Sequence, residues 1–269
     1  MSNPRRAFAL AALVLSTATP AFSQSSGIRS WISGDWSLTL GAAGYMAPRF
    51  QGSDKLTFNA VPMISLGRSG KGAAFASRND NISVAFIDNG FFRAGPVGKI
   101  LFERSDSDRD LRGLGTVRWG GEIGGFFDLY PTSWLRFRTE VRQGFRAHSG
   151  VVADFSADAF HDIAPALRLS AGPRLSMASS SYFKSYFGVN PAQSAASGLA
   201  VYSPSGGIRA IGFGGALTWK TTEKLTTSLF AEYSRLMGPA ADSSLVMQRG
   251  SANQFTVGAS ATYRFDFSM

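Results

Sequence analysis

Trp134-Leu135-Arg136-Phe137-Arg138-Thr139-Glu140-Val141-Arg142-Gln143-Gly144-Phe145-Arg146 divides into two chemical classes when every second residue is taken. Leu135, Phe137, Thr139, Val141 and Phe145 share one parity, while Arg136, Arg138, Glu140, Arg142 and Arg146 share the other. Successive side chains of a strand point to opposite faces, so this stretch predicts a strand with one oily and one densely charged face. In a sandwich the charged face would meet bulk water. In a closed barrel it lines the lumen.

The C-terminal stretch reads the same way. Phe255, Val257, Ala259, Ala261, Tyr263, Phe265 and Phe267 alternate with Gln254, Thr256, Ser260, Thr262, Arg264 and Asp266. A closing amphipathic strand ending on the aromatics Tyr263, Phe265 and Phe267 resembles the recognition signal of the outer-membrane barrel assembly machinery. That signal usually stops on its aromatic residue, whereas Ser268 and Met269 follow here. The same alternation predicts twelve strands, near 35–46, 55–67, 71–79, 81–88, 91–104, 115–129, 133–146, 150–161, 163–178, 207–220, 225–237 and 253–267. The three between 71 and 104 carry the weakest pattern.

Connection lengths give an independent reading, because bacterial barrels have short periplasmic turns and longer external loops. Short connections at Arg68-Ser69-Gly70, Asn89-Gly90, Tyr130-Pro131-Thr132, His161-Asp162 and Thr221–Lys224 all follow even strands. Every long connection, at 47–54, 105–114, 179–206 and 238–252, follows an odd one. Two odd connections, Asn79-Asp80 and Ala147–Ser149, are short exceptions. Hydrocarbon offers no partner for backbone N–H or C=O, so a membrane-spanning sheet has to close on itself.

Composition agrees with this reading. Arg5 and Arg6 precede a short apolar run, and Ala21-Phe22-Ser23 has the small-x-small form that signal peptidase cleaves, so 1–23 read as a signal peptide and 24–269 as the barrel. The chain has no cysteine, which excludes lipid attachment and a disulfide framework. Its net charge is +9, but export removes nucleic acid as a partner. Mean hydropathy is near zero and no later apolar run approaches the ~18 residues of a membrane helix.

Several stretches carry a family resemblance. Tyr45-Met46-Ala47-Pro48-Arg49-Phe50-Gln51-Gly52-Ser53-Asp54 with Pro62 is one. Tyr186-Phe187-Gly188-Val189, Gln193, Ser197-Gly198-Leu199, Tyr202 and Gly206-Gly207 form another. Leu236-Met237-Gly238, Ala240-Ala241-Asp242-Ser243, Leu245-Val246 and Tyr263-Arg264-Phe265 complete the set. In these the chain resembles the MipA/OmpV family of outer-membrane proteins, with Ser244 standing where the family more often has proline. The resemblance implies a barrel in the outer membrane, bordered by lipid and lipopolysaccharide. It also implies a scaffold role, joining a lytic murein transglycosylase to a penicillin-binding murein synthase. A passive channel for small charged solutes is the alternative.

Within the barrel, Asp154, Ser156 and Asp158 share the parity that a hairpin about Ala147–Ser149 would set beside the arginines. Arg136, Arg138, Glu140, Arg142, Arg146, Asp154 and Asp158 therefore form a candidate lumen network. Rings of arginine could select anions; the same residues could instead neutralise one another and fill the interior, which is the expected state. Asp106, Asp108 and Asp110 alternate like calcium ligands, but Leu111 and Val117 stand where an EF-hand needs glycine and glutamate, so a solvated loop is expected. His148-Ser149 is not a catalytic triad, and His161 falls at a periplasmic turn. Neither an enzyme nor a cofactor is expected. Tyr182, Tyr186, Phe187 and Tyr202, in the long connection 179–206, make a candidate interaction surface or pack against neighbouring loops.

Overall fold

The computed structural model describes residues 34–68 and 75–268; the signal-peptide expectation lies outside them. The strands are β1 (Asp35–Pro48), β2 (Leu56–Arg68), β3 (Ile82–Ser83), β4 (Ile87–Asp88), β5 (Phe92–Leu101), β6 (Gly120–Thr132), β7 (Leu135–Phe145), β8 (Val151–Ala164), β9 (Leu167–Ala178), β10 (Gly207–Lys220), β11 (Leu225–Leu236) and β12 (Asn253–Ser268). Helices α1 (Ser180–Phe187) and α2 (Pro191–Ser197) interrupt the loop after β9, and α3 (Gly238–Ala241) and α4 (Ser244–Arg249) the loop after β11.

Neighbours around the sheet run β2-β1-β12-β11-β10-β9-β8-β7-β6-β5-β3, with β4 also on β5, and every strand pair is antiparallel. The first and last long strands pair along their whole length, from Asp35↔Ser268 to Met46↔Val257. β3 and β4 are two pieces of one stave, held to β5 between them by Val84 N–H to Pro96 O (3.2 Å) and Phe86 N–H to Ala94 O (3.0 Å). That stave meets β2 through the single parallel bridge Leu66↔Val84, so the wall is nearly closed.

The expected strand at 71–79 is corrected. Residues 69–74 lie outside the described ones, and 75–81 form no strand; they enter the lumen. No alternating oily face commits this stretch to lipid, and its polar end, Arg78-Asn79-Asp80-Asn81, finds charged partners inside. Asn79-Asp80 is accordingly no barrel loop but part of a turn in which Asp80 N–H reaches Ser77 O at 3.1 Å. Removing it deletes one of the two exceptions to the connection rule; the other, 146–150, is real.

Two turns also shift. Tyr130–Thr132 and His161-Asp162 belong to strands, and the reversals occur at 133–134 and 165–166. Asp162 lies opposite Arg168 and accepts its guanidinium at 2.6 Å, an ion pair that prolongs the hairpin past the expected turn.

The wall is inverted relative to a soluble domain. Phe137 and Val141 are 44% and 47% exposed, whereas Arg136 and Arg142 on the other parity are 0% and 1% exposed. Lipid has to cover the first set. Both chain termini of the barrel and the short turns other than 146–150 share one end, which is the periplasmic end by the length rule. At the other end the helices close the mouth. Tyr182, Phe183, Phe187, Leu236, Ala240 and Val246 form one buried apolar cluster there, and Phe50, Leu111, Leu114, Val189, Leu199 and Leu245 form a second.

Candidate functional site

The charged parity of β7 builds the interior. Arg136 donates to Asp80 at 2.7 Å and to Asp158 at 2.7 Å. Arg138 reaches Asp128 at 3.0 Å and Glu140 at 2.8 Å. Arg142 binds Glu122 at 2.7 Å, Asp154 at 2.5 Å and also Glu140. From the next strands Arg174 donates to Asp158 at 2.5 Å, and Arg209 approaches Asp154 at 3.4 Å while donating to Ser176 and to the Tyr182 hydroxyl (2.9 Å). Each of these five arginines thus has a carboxylate in hydrogen-bond range, as a low-dielectric interior demands.

Of the expected network, Arg136, Arg138, Glu140, Arg142, Asp154 and Asp158 are brought together. Arg146 is not, and this is a correction. Its backbone is left-handed (φ 67), which breaks the strand's alternation at the outer turn. The guanidinium lies instead over the Trp119 ring, 3.7 Å from its centroid. The place above Arg142 is taken by His148. Its Nε2 is 3.1 Å from Glu122 Oε1 and its Nδ1 accepts Gly150 N–H at 3.1 Å, so Nε2 carries the proton toward the carboxylate. Gly144 makes room for that ring: a Cβ there would lie 2.1 Å from it.

Segment 75–81 spans the lumen. At one wall Phe75 stacks on Phe160 with centroids 4.7 Å apart, and Tyr130 Oη donates to Phe75 O at 3.2 Å. Asp80 holds Arg136, and Asn81 Nδ2 donates to Glu140 at 2.6 Å. At the opposite wall the Arg78 guanidinium lies over Phe230 (4.2 Å) and Tyr45 (4.7 Å), while Asn79 Nδ2 donates to Glu232 at 2.5 Å. This is an internal strap, tied at both sides.

The aromatic loop is also corrected as an accessible surface. Tyr182 and Phe187 are 2% and 0% exposed, their rings turned into the apolar cluster beneath the helices. Tyr186 packs against the same cluster and burial pushes its phenol up; Tyr202 donates to Pro239 O at 3.0 Å. Tyr263, Phe265 and Phe267 stand on the lipid face of β12 near the periplasmic rim. Of the three loop aspartates, Asp106 accepts from Thr116 (3.0 Å), Asp108 from Arg49 and Asp110 from Lys55 (2.6 Å). No group that could hold a metal ion occurs among the described residues.

Sequence reasoning missed Asp80, Asp128, Glu122, Arg174 and Arg209 as members of the network. Asp128 was within reach: it opposes Arg138 once β6 and β7 are paired about their short turn. Asp80 was not, since it lies on no strand.

Solved structures with which the chain aligns include neisserial surface protein A (10% identity, 86% of this chain and 99% of that one, TM-score 0.29). A bacterial polysaccharide outer membrane secretin (10%, 87% and 99%, 0.40) and the outer membrane protein OprG from Pseudomonas aeruginosa (8%, 87% and 96%, 0.32) also align. No curated protein matches. The family described as MltA-interacting protein MipA matches residues 40–265, and with the barrel wall and its charge-filled interior this chain is an outer-membrane β-barrel belonging to the MipA family.

Proposed function

We propose that this barrel is a non-conducting platform, exported by its signal peptide, that holds a lytic murein transglycosylase and a penicillin-binding murein synthase together at the inner face of the outer membrane. The observation that carries this reading is the filled interior. Segment 75–81 crosses it, carboxylates engage Arg136, Arg138 and Arg142, and two apolar clusters close the outer mouth. A wall so closed serves by what it presents. Toward the periplasm it offers Lys220, Lys224 and Arg264 around a cavity of about 140 Å³, with Glu223 in the lining and Asp266 3.3 Å from Arg264, a lysine-bearing, mixed-charge rim suited to polar protein surfaces. The family's description as an MltA-interacting protein supports the same direction. Tyr263, Phe265 and Phe267 serve earlier, as the strip read by the assembly machinery. No residue acts as a catalyst in this account.

Affinity-tagged protein drawn from detergent-solubilised envelopes tests it. The two murein enzymes should be enriched relative to an unrelated barrel, and replacing Lys220, Lys224 and Arg264 by glutamate should reduce that enrichment. Equal recovery with the unrelated barrel would contradict the platform role. A steady conductance together with no enrichment would favour a small-solute channel.

A further inference from the structure

A second charged site lies at the opposite, outer end and shares no residue with the lumen network or the periplasmic rim. The loop between β5 and β6 is anchored there by Leu111 and Leu114, which are buried with Phe50, Val189, Leu199 and Leu245. Between these anchors Gly113 (φ 85) presses on α2: a Cβ at this position would come within 2.7 Å of the Ala196 carbonyl carbon. Only glycine permits both the backbone conformation and the approach. The contact is reinforced by Gln193, which donates to Leu114 O, and α2 itself is fixed by a reciprocal Asn190–Gln193 cap. Arg112 is therefore set beside Ser197 by the backbone.

Arg249, at the end of α4, completes the wall. Its Nη1 donates to Asp110 O at 3.0 Å and its Nη2 to Ser197 O, so it bridges the loop and α2. Arg109, Asp110, Arg112, Ala196, Ser197 and Arg249 line a concavity of about 380 Å³. Its one carboxylate is already engaged, since Asp110 is 2.6 Å from Lys55 and 3.9 Å from Arg49. Arg109 and Arg112 are exposed and have no hydrogen bond or ion pair among the described residues. Three guanidiniums thus converge on one hollow whose single lining carboxylate is engaged from behind, while the neighbouring Asp108 is held by Arg49.

Clustered like charges repel unless something answers them, and the planar donor fork of arginine matches the oxygens of a phosphoryl group. The hollow falls in the usual ~300–1,000 Å³ range of sites for small organic ligands, larger than a bare ion needs. We propose that this outer hollow binds a phosphorylated saccharide, with Arg109 and Arg112 gripping the phosphoryl group and Arg249 holding the frame. Lipopolysaccharide of the surrounding leaflet and a soluble sugar phosphate share that chemistry.

The test uses the refolded protein in non-ionic detergent, with lipopolysaccharide, phosphatase-treated lipopolysaccharide and inorganic phosphate as probes. Removing phosphate from the lipopolysaccharide should weaken binding about tenfold or more, the scale of losing charge-assisted hydrogen bonds. The double variant Arg109→Ala/Arg112→Ala should bind both forms equally, at the weakened level, while keeping the heat-dependent gel mobility of a folded barrel. Arg109→Lys/Arg112→Lys should retain part of the preference, because charge survives but the fork does not. Inorganic phosphate that displaces lipopolysaccharide in the wild type, but not in the alanine variant, would assign the site to soluble phosphates; weak displacement would assign it to the lipid. Equal binding of the treated and untreated forms by the wild type, or an alanine variant that keeps the preference, would overturn the proposal.

Discussion

Arg142 lies in β7 and Arg146 just beyond its end, four residues on; they share a parity and differ completely in setting. Arg142 is enclosed by Glu122, Glu140 and Asp154, so Arg142→Met removes the guanidinium all three share and leaves Glu140 to Arg138 and Asp154 to the more distant Arg209. Breaking a buried ion network in this way costs about 3–5 kcal/mol. Arg146→Met forfeits only an exposed cation–π contact, about 1 kcal/mol or less. Urea unfolding in phospholipid vesicles measures both, and equal losses would contradict the assignment of Arg146 to the outer rim. Alternation made the first residue legible in the sequence. The second was misread because one left-handed residue at a turn resets which way its side chain points, and no spacing rule registers that.

A titratable clasp at the outer surface gives a further residue-scale expectation. The hydrogen bond from Lys55 holds the Asp110 carboxyl below its usual value, against the upward push of burial. A carboxyl lowered on folding adds stability in full above its unfolded pKa of about 4, and that stability fades as pH falls through the folded value. The difference in thermal midpoint between wild type and Lys55→Met should therefore be present at pH 6 and vanish toward pH 2. A difference independent of pH would show that Lys55 acts without Asp110.

At the scale of the element, a strand here is a boundary between lipid and a packed polar interior. Val141 points to lipid at the middle of β7, one position before the buried Arg142. Val141→Arg should cost about 2–4 kcal/mol, the penalty for arginine at the bilayer midplane. The charge that β7 needs at one position is thus ruinous at the next, and an unchanged unfolding midpoint would mean that Val141 does not face lipid. Ten long strands were legible to within a few residues, because each pairs an oily parity with a polar one. Segment 75–81 was not, since it faces neither lipid nor a neighbouring ladder and its partners, Arg136, Glu140 and Glu232, are far away in the sequence. The aromatic loop misled for the opposite reason. Tyr182 and Phe187 look like a binding surface in sequence, but α1 turns them inward, where they seal the mouth.

Taken as a whole, the molecule has three layers along the barrel axis. Apolar clusters and short helices close the outer end, ion pairs and an inner strap fill the middle, and a lysine-bearing rim faces the periplasm. The stretches that resemble the MipA family gather mainly in the first layer: Phe50, Val189, Leu199 and Leu245 pack together, and Gly52 N–H donates to Gln254 at 3.0 Å. Family character at the outer end therefore reflects how the mouth is shut. Shutting it is what separates a platform from a pore.

Single-molecule conductance of the refolded protein in a planar bilayer measures that closure directly. The wild type should insert and stay electrically silent. Asp80→Asn, which weakens the strap's hold on Arg136 without removing a wall residue, should bring transient openings. A steady open level from the wild type would contradict the sealed interior.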